Sequence, residues 1–175
     1  VTEISAPEGL IANTKFTIAI RKNGEILDFT NKSSVNNDKA GKIEIQKVDS
    51  ETKTNTPQGD ATLSGATFDI INRSAEAIYV NGKEIKPDAV AWTLTTDTKG
   101  YASTPDRFLT YGTYEVVEKG SSQGYKVTIQ GNGKVVIRDD GASYGYSGYK
   151  INAGDNNVYE PVIRGGVKIQ KRDYE

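Results

Sequence analysis

The stretch GKIEIQKVDSE at residues 41–51 returns as GGVKIQKRDYE at residues 165–175, aligned without a gap. Gly41/Gly165, Ile45/Ile169, Gln46/Gln170, Lys47/Lys171, Asp49/Asp173 and Glu51/Glu175 are identical pairs. A second pair joins VTEISAPEGL at residues 1–10 to VVEKGSSQGY at residues 116–125, with Val, Glu and Gly equally spaced in both. An internal repeat constrains architecture more than any local propensity. The period here is domain-sized, so each unit is expected to own a core. The order of the copies predicts the late part of one unit over residues 1–40, a complete unit over residues 41–165, and the first strand of a third over residues 166–175.

Inside the complete unit the pattern is that of short strands. KIEIQKVD (42–49), ATFDIINR (66–73), WTLTTD (92–97), TYEVVEK (113–119) and KVVIRD (134–139) alternate or run apolar for strand lengths between turn residues. Asn23-Gly24 and Asn81-Gly82 each stand between such runs, the strongest short-range hairpin signal. No helical period competes beyond a brief one near residues 74–77. The expectation is an all-β fold, an immunoglobulin-like or prealbumin-like sandwich in a tandem array. The Gly/Tyr/Ser-rich stretch at 139–157 reads as a long loop or insertion, and Trp92, alternating with Leu94, reads as core.

Composition narrows the function. With 22 basic and 23 acidic residues interspersed, the chain has no basic face for a nucleic acid. No apolar run reaches membrane-span length. Cysteine and histidine are absent, which removes disulfides, thiolate or imidazole metal sites and an imidazole base. No cofactor or metal is implied, and nothing resembles a turnover site, so a conventional enzyme is not expected.

One residue breaks the pattern. In KIEIQKVD, alternate side chains share a face, so Lys47 stands with Ile43 and Ile45 on the apolar side. Lys171 stands likewise behind Val167 and Ile169. In YEVVE, Glu118 shares a face with Tyr114 and Val116. An amine and a carboxyl therefore point into one core. Two readings fit: a structural charge pair, or a covalent one. A buried amine loses its charge readily and becomes a nucleophile; a buried carboxyl keeps its proton and can shuttle it. Beside an Asn or Asp carbonyl such a pair can form a side-chain amide once, without turnover, because the fold holds the reactants together.

GKIEIQKVD, LSGATFDI (63–70), TTDTKGYAS (95–103) and LTYGTYEVVEKGSSQGY (109–125), in that order, resemble the Cna B-type domain, also called the SpaA-type pilin or prealbumin-like domain, of Gram-positive surface proteins. The resemblance spans essentially the whole chain. It implies an extracellular, cell-wall-anchored surface protein or pilus and, in many members, a self-formed isopeptide bond. Its lysine lies in the first strand, its catalytic glutamate in a middle strand and an Asn or Asp in the last. Lys47 and Glu118 match the first two positions. In the preceding unit Glu3 and Asn36 match the last two, and Lys171 is the lysine of the following unit. In the complete unit the ungapped alignment sets Glu160 opposite Asn36, a departure from the family's Asn, so the candidate partners of Lys47 are Asn157 or Asn156 after a shift of register, or Glu160, and the alternative is a Lys47–Glu118/Glu160 charge cluster without a bond. The expected function is a structural stalk or backbone domain, with neighbouring domains of the same chain as partners. The alternative is an adhesin domain that binds host extracellular matrix through Tyr144, Tyr146 and Tyr149.

Overall fold

The computed structural model describes residues 2–12, 17, 19–27, 37–127, 134–146, 151–152 and 156–174, and among these there are strands and turns but no helix. In chain order the strands are β1 (Leu10–Ile11), β2 (Asn37–Asp38), β3 (Ala40–Asp49), β4 (Thr67–Asn72), β5 (Ile78–Val80), β6 (Lys83–Ile85) and β7 (Val90–Thr95). Then come β8 (Tyr101–Ser103), β9 (Leu109–Thr110), β10 (Gly112–Gly120), β11 (Lys134–Ile137), β12 (Ser143–Tyr146), β13 (Ile151–Asn152) and β14 (Asn157–Glu160).

Two sheets make the sandwich. The first, in the order β11-β10-β4-β7, is wholly antiparallel. The second is organised around β3. On β3, residues 42–44 run parallel to β12 and residues 46–49 run parallel to β14, while β8 and β9 pair with it antiparallel. Parallel partners must be reached by long crossovers, which is why the last strand returns beside the first only after the other sheet is built. The inner faces supply Ile43, Ile45, Tyr146 and Val158 from one side and Phe68, Ile70, Tyr114, Val116 and Ile137 from the other, all fully buried. Phe68 meets Tyr146 edge-on across the sandwich, with ring centroids 6.4 Å apart.

The hairpin expected at Asn81-Gly82 joins β5 to β6, with φ of 49° and 76° at the two residues, the type I′ combination that fits strand twist. Two expectations are corrected. The 139–157 stretch is not one long loop, because β12 lies within it, adds to the edge of β3 and buries Tyr146 completely. Trp92 is 41% exposed. It sits on β7, the edge strand of its sheet, where its ring packs edge-on against Phe108 with centroids 4.7 Å apart rather than entering the core.

The sequence repeat has a structural counterpart. Leu10 N–H donates to Pro7 O at 3.1 Å, and Tyr125 N–H donates to Ser122 O at the same distance. Lys39 N–H donates to Gly9 O, and Ile163 N–H to Gly124 O, both at 2.7 Å. Gly9 and Gly124 share a left-handed backbone, with φ of 87° and 81°. Leu10 pairs with Asp38 as Tyr125 pairs with Val162. Residues 7–10 with 38–39 are thus built like residues 122–125 with 162–163.

Candidate functional site

Alternation along β3 sends Ile43, Ile45, Lys47 and Asp49 inward, and all four are fully buried. The backbone of Lys47 is pinned by the turn before β8, where Gly100 O accepts the Lys47 N–H at 2.7 Å. Gly100 has φ +76°, and a Cβ there would stand 2.8 Å from Lys47 O, so the turn requires glycine to approach this closely.

Three ionisable side chains meet behind this point. Glu118 arrives from β10 on the opposite sheet, and its Oε1 lies 3.6 Å from Lys47 Nζ. Glu160 arrives from β14 on the same sheet, and its Oε2 contacts Lys47 Nζ directly. All three side chains are fully buried. Ser121, in the loop after β10, bridges two of them: Lys47 Nζ donates to its Oγ at 3.2 Å, and that hydroxyl donates to Glu160 Oε2 at 2.9 Å. The Tyr125 ring closes the pocket, with its centroid 5.4 Å from Nζ, a distance suited to cation–π attraction.

A buried amine between two carboxyls invites a question about protons. Among the described residues, no N–H or hydroxyl donates to either oxygen of Glu118 or to Oε1 of Glu160, and all three are buried. Burial first, and the adjacent Glu160 carboxyl second, push Glu118 up to about 9 despite the opposing pull of Lys47. Glu118 therefore holds a proton at neutral pH. That arrangement removes the repulsion that two ionised carboxylates would feel at this range.

Next to the trio lies a second buried carboxylate. Asp49 accepts the backbone N–H of Glu51 and Thr52 at 2.8 and 2.9 Å, Gln58 Nε2 at 3.0 Å and the Tyr125 hydroxyl at 2.9 Å. Burial alone would raise its pKa; the donors, Thr52 and Tyr125 foremost, outweigh burial and hold it at about 2. Asp49 thereby fixes the ring of Tyr125 over Lys47.

The structure thus brings Lys47, Glu118 and Glu160 together. Val158 pairs with Lys47 and Asn157 with Gln46, so by alternation Asn157 stands on the face of Gln46, opposite the trio. Asn156 is half-buried, and its carbonyl accepts the Gln46 N–H at 2.6 Å. In the 1–40 segment Glu3 is half-buried, while Asn36 lies outside the described residues. Lys171 is exposed and in no strand. Of the three tyrosines, Tyr146 is core, Tyr144 is half-buried with its hydroxyl accepting the N–H groups of Arg138 and Asp139, and Tyr149 lies outside the described residues. Sequence reasoning missed Asp49, although its alternation with Lys47 was a usable signal. It also missed Ser121, for which the other copy, with Ala6 at that place, offered none.

Among solved structures, the chain is similar to the Bacillus anthracis TIE protein, with 24% identity and a TM-score of 0.57 over 93% of this chain and 24% of that one. It is also similar to the group B streptococcus pilus 2b backbone protein, with 24% identity and a TM-score of 0.45 over 70% of this chain and 41% of that one. A third is GBS52, the minor pilin of Streptococcus agalactiae, with 19% identity and a TM-score of 0.43 over 77% and 49%. The chain spans between a quarter and a half of the length of these proteins. The first of them shares its fold. No curated protein sequence matches it. The SpaA family of prealbumin-like fold domains matches residues 41–152, well over half of the chain, and the chain belongs to that family.

Proposed function

We propose that this chain is part of the structural stalk or backbone of a Gram-positive surface protein or pilus, extracellular and anchored to the cell wall. Its work is to extend and to resist force and proteolysis rather than to turn over a substrate. The observation that carries this reading is the contact between Lys47 and Glu160. It joins the first and last strands of the sandwich where they lie side by side and parallel. Tension applied at the two ends of the unit shears these strands past one another, and a bond between their side chains carries the pull past the rest of the fold. The matched turns at Gly9 and Gly124 support a tandem arrangement of units over residues 1–40, 41–165 and 166–175, with neighbouring units as partners.

The contact is read as the site of a self-formed amide between Lys47 Nζ and Glu160 Cδ, made with loss of one water and assisted by the protonated Glu118. The bond closes a loop with 113 positions between its ends, which on the chain-entropy account of cross-links stabilises the fold by about 4–5 kcal/mol. Intact mass of the folded chain, beside a Lys47→Ala control, tests the assignment. A deficit of one water that vanishes in the control is expected. A deficit of one ammonia would transfer the bond to Asn156 or Asn157, and no deficit would leave the trio as a buried ion pair. Nothing in the described residues favours the adhesin reading, since Tyr146 is spent on the core.

A further inference from the structure

We infer that Ser121 is a catalytic residue of the Lys47–Glu160 condensation, relaying protons from the attacking nitrogen to the oxygen that departs. The inference rests on the amide reading above and extends it to a residue that neither the family resemblance nor the repeat supplies.

Geometry is the first support. Ser121 Oγ is placed on both reacting groups, accepting from Lys47 Nζ and donating to Glu160 Oε2. Its acceptor is Oε2, the carboxyl oxygen beside the nitrogen, whereas Oε1 receives no hydrogen bond from the described residues. The two oxygens of Glu160 are therefore unequal before any reaction begins. Oε2 is served with protons and Oε1 is left to become the amide carbonyl.

Proton accounting is the second support. An ammonium and a carboxylate hold three protons between them. One stays on the amide nitrogen, and two must reach the same oxygen for it to leave as water. The first passes from Nζ to Oε2, giving a free amine and a carboxylic acid. The amine then attacks Cδ, the new C–N bond forms, and the carbonyl pair moves onto Oε1. Nζ next gives a proton to Ser121 Oγ as the serine hydroxyl gives its own to Oε2. The Cδ–Oε2 bond breaks, water leaves, Oε1 regains its double bond, and Ser121 and Glu118 end as they began. Condensation with an asparagine amide needs only one proton on its leaving nitrogen. The two copies of the repeat differ in this respect: Glu118, Ser121 and Glu160 stand where the 1–40 segment has Glu3, Ala6 and Asn36. In sequence, the serine occurs in the copy that carries the carboxyl and not in the copy that carries the amide.

The test is a timed intact-mass measurement on the full chain made by cell-free synthesis, comparing wild type, Ser121→Ala and Ser121→Thr, with near-ultraviolet circular dichroism to confirm folding. Loss of a general acid–base group predicts that folded Ser121→Ala loses water about 100-fold more slowly, and that Ser121→Thr, which keeps the hydroxyl, restores the rate. A purely structural role would lower stability without changing the rate of water loss by the folded protein. If Ser121→Ala does not fold, Ser121→Val, which has the shape of the threonine variant without its hydroxyl, takes its place and must be slow. Water loss at the wild-type rate in a folded hydroxyl-less variant overturns the relay and leaves the Lys47–Glu160 amide standing. A slow Ser121→Thr also overturns it. A wild-type chain that never loses water overturns both.

Discussion

Glu118 makes the stability of this fold depend on pH in a direction opposite to most acidic residues. Its folded pKa of about 9 lies far above its ordinary value of 4.5. The folded state therefore binds a proton that the unfolded state has released, and stability falls as pH rises through that interval. The stabilisation is complete below the unfolded pKa and is lost progressively up to the folded one. Between about pH 5 and pH 7 the difference amounts to about 2.5 kcal/mol, at 1.36 kcal/mol for each unit of pH once the unfolded carboxyl is ionised. The chain has no histidine, so no ordinary side chain titrates in the middle of that window to obscure the effect. The assay is urea unfolding at several pH values, comparing wild type with Glu118→Gln, whose amide has the shape of the protonated acid and cannot ionise. The wild-type midpoint is expected to fall across the window while the variant's stays level. The sign survives amide formation between Lys47 and Glu160, because burial, the largest cause of the shift, remains. A wild-type stability that is flat or rising between those pH values, or an equal slope in Glu118→Gln, would refute the reasoning.

Asp49 gives the mirror image. Held at about 2 from an ordinary 3.8, it stabilises the fold above its unfolded pKa and loses that contribution as pH falls through the folded one. Acid unfolding of wild type against Asp49→Asn should show about 2 kcal/mol disappearing between those limits. Lys47→Ala leaves two buried carboxyls facing each other without their cation, and thermal or urea unfolding should show a loss of about 3–5 kcal/mol. Gly100→Ala places a Cβ against Lys47 O at a positive φ and should cost about 1–3 kcal/mol in the same measurement. Tyr125→Phe removes one donor to a buried carboxylate and should cost about 1.5–3 kcal/mol while raising the pKa of Asp49, which the acid limb of its unfolding profile reports.

Where burial follows alternation, the fold was legible from residues alone. The period-two pattern of β3 and β10 was enough to aim Lys47 and Glu118 inward, and Asn81-Gly82 was enough to place a hairpin. The failures share one physical cause. Alternation says which residues share a face; it does not say whether the strand is central or at an edge, or which strand lies beside it. Trp92 shares a face with Leu94 yet stands on an edge strand, open to solvent. Tyr146 lies in a segment whose glycines and serines signal a loop, yet the unpaired edge of β3 takes that segment as a parallel strand. Such partners are fixed by contacts distant in sequence, which no local window contains.

The same limit governed which residue meets Lys47, and there the register of β14 against β3 is what matters. A shift of one residue would turn Asn157 inward and Glu160 outward. In the register present, Val158 stands beside Lys47, and the next inward residue, Glu160, meets the amine. The ungapped repeat had already set Glu160 opposite Asn36. A glutamate there is costly as a mere ion-pair partner, since a second carboxyl, Glu118, occupies the same dry space and must hold its proton to coexist with it. The cost becomes intelligible if the carboxyl is consumed. Condensation turns the amine and the carboxyl into a neutral amide and expels a water, leaving Glu118 as the only ionisable group of the trio. An uncondensed chain should therefore be measurably less stable than a condensed one of the same sequence. Separating the two by mass after partial reaction and unfolding each in urea would decide the point, and equal midpoints would mean that the bond does nothing for the fold at rest.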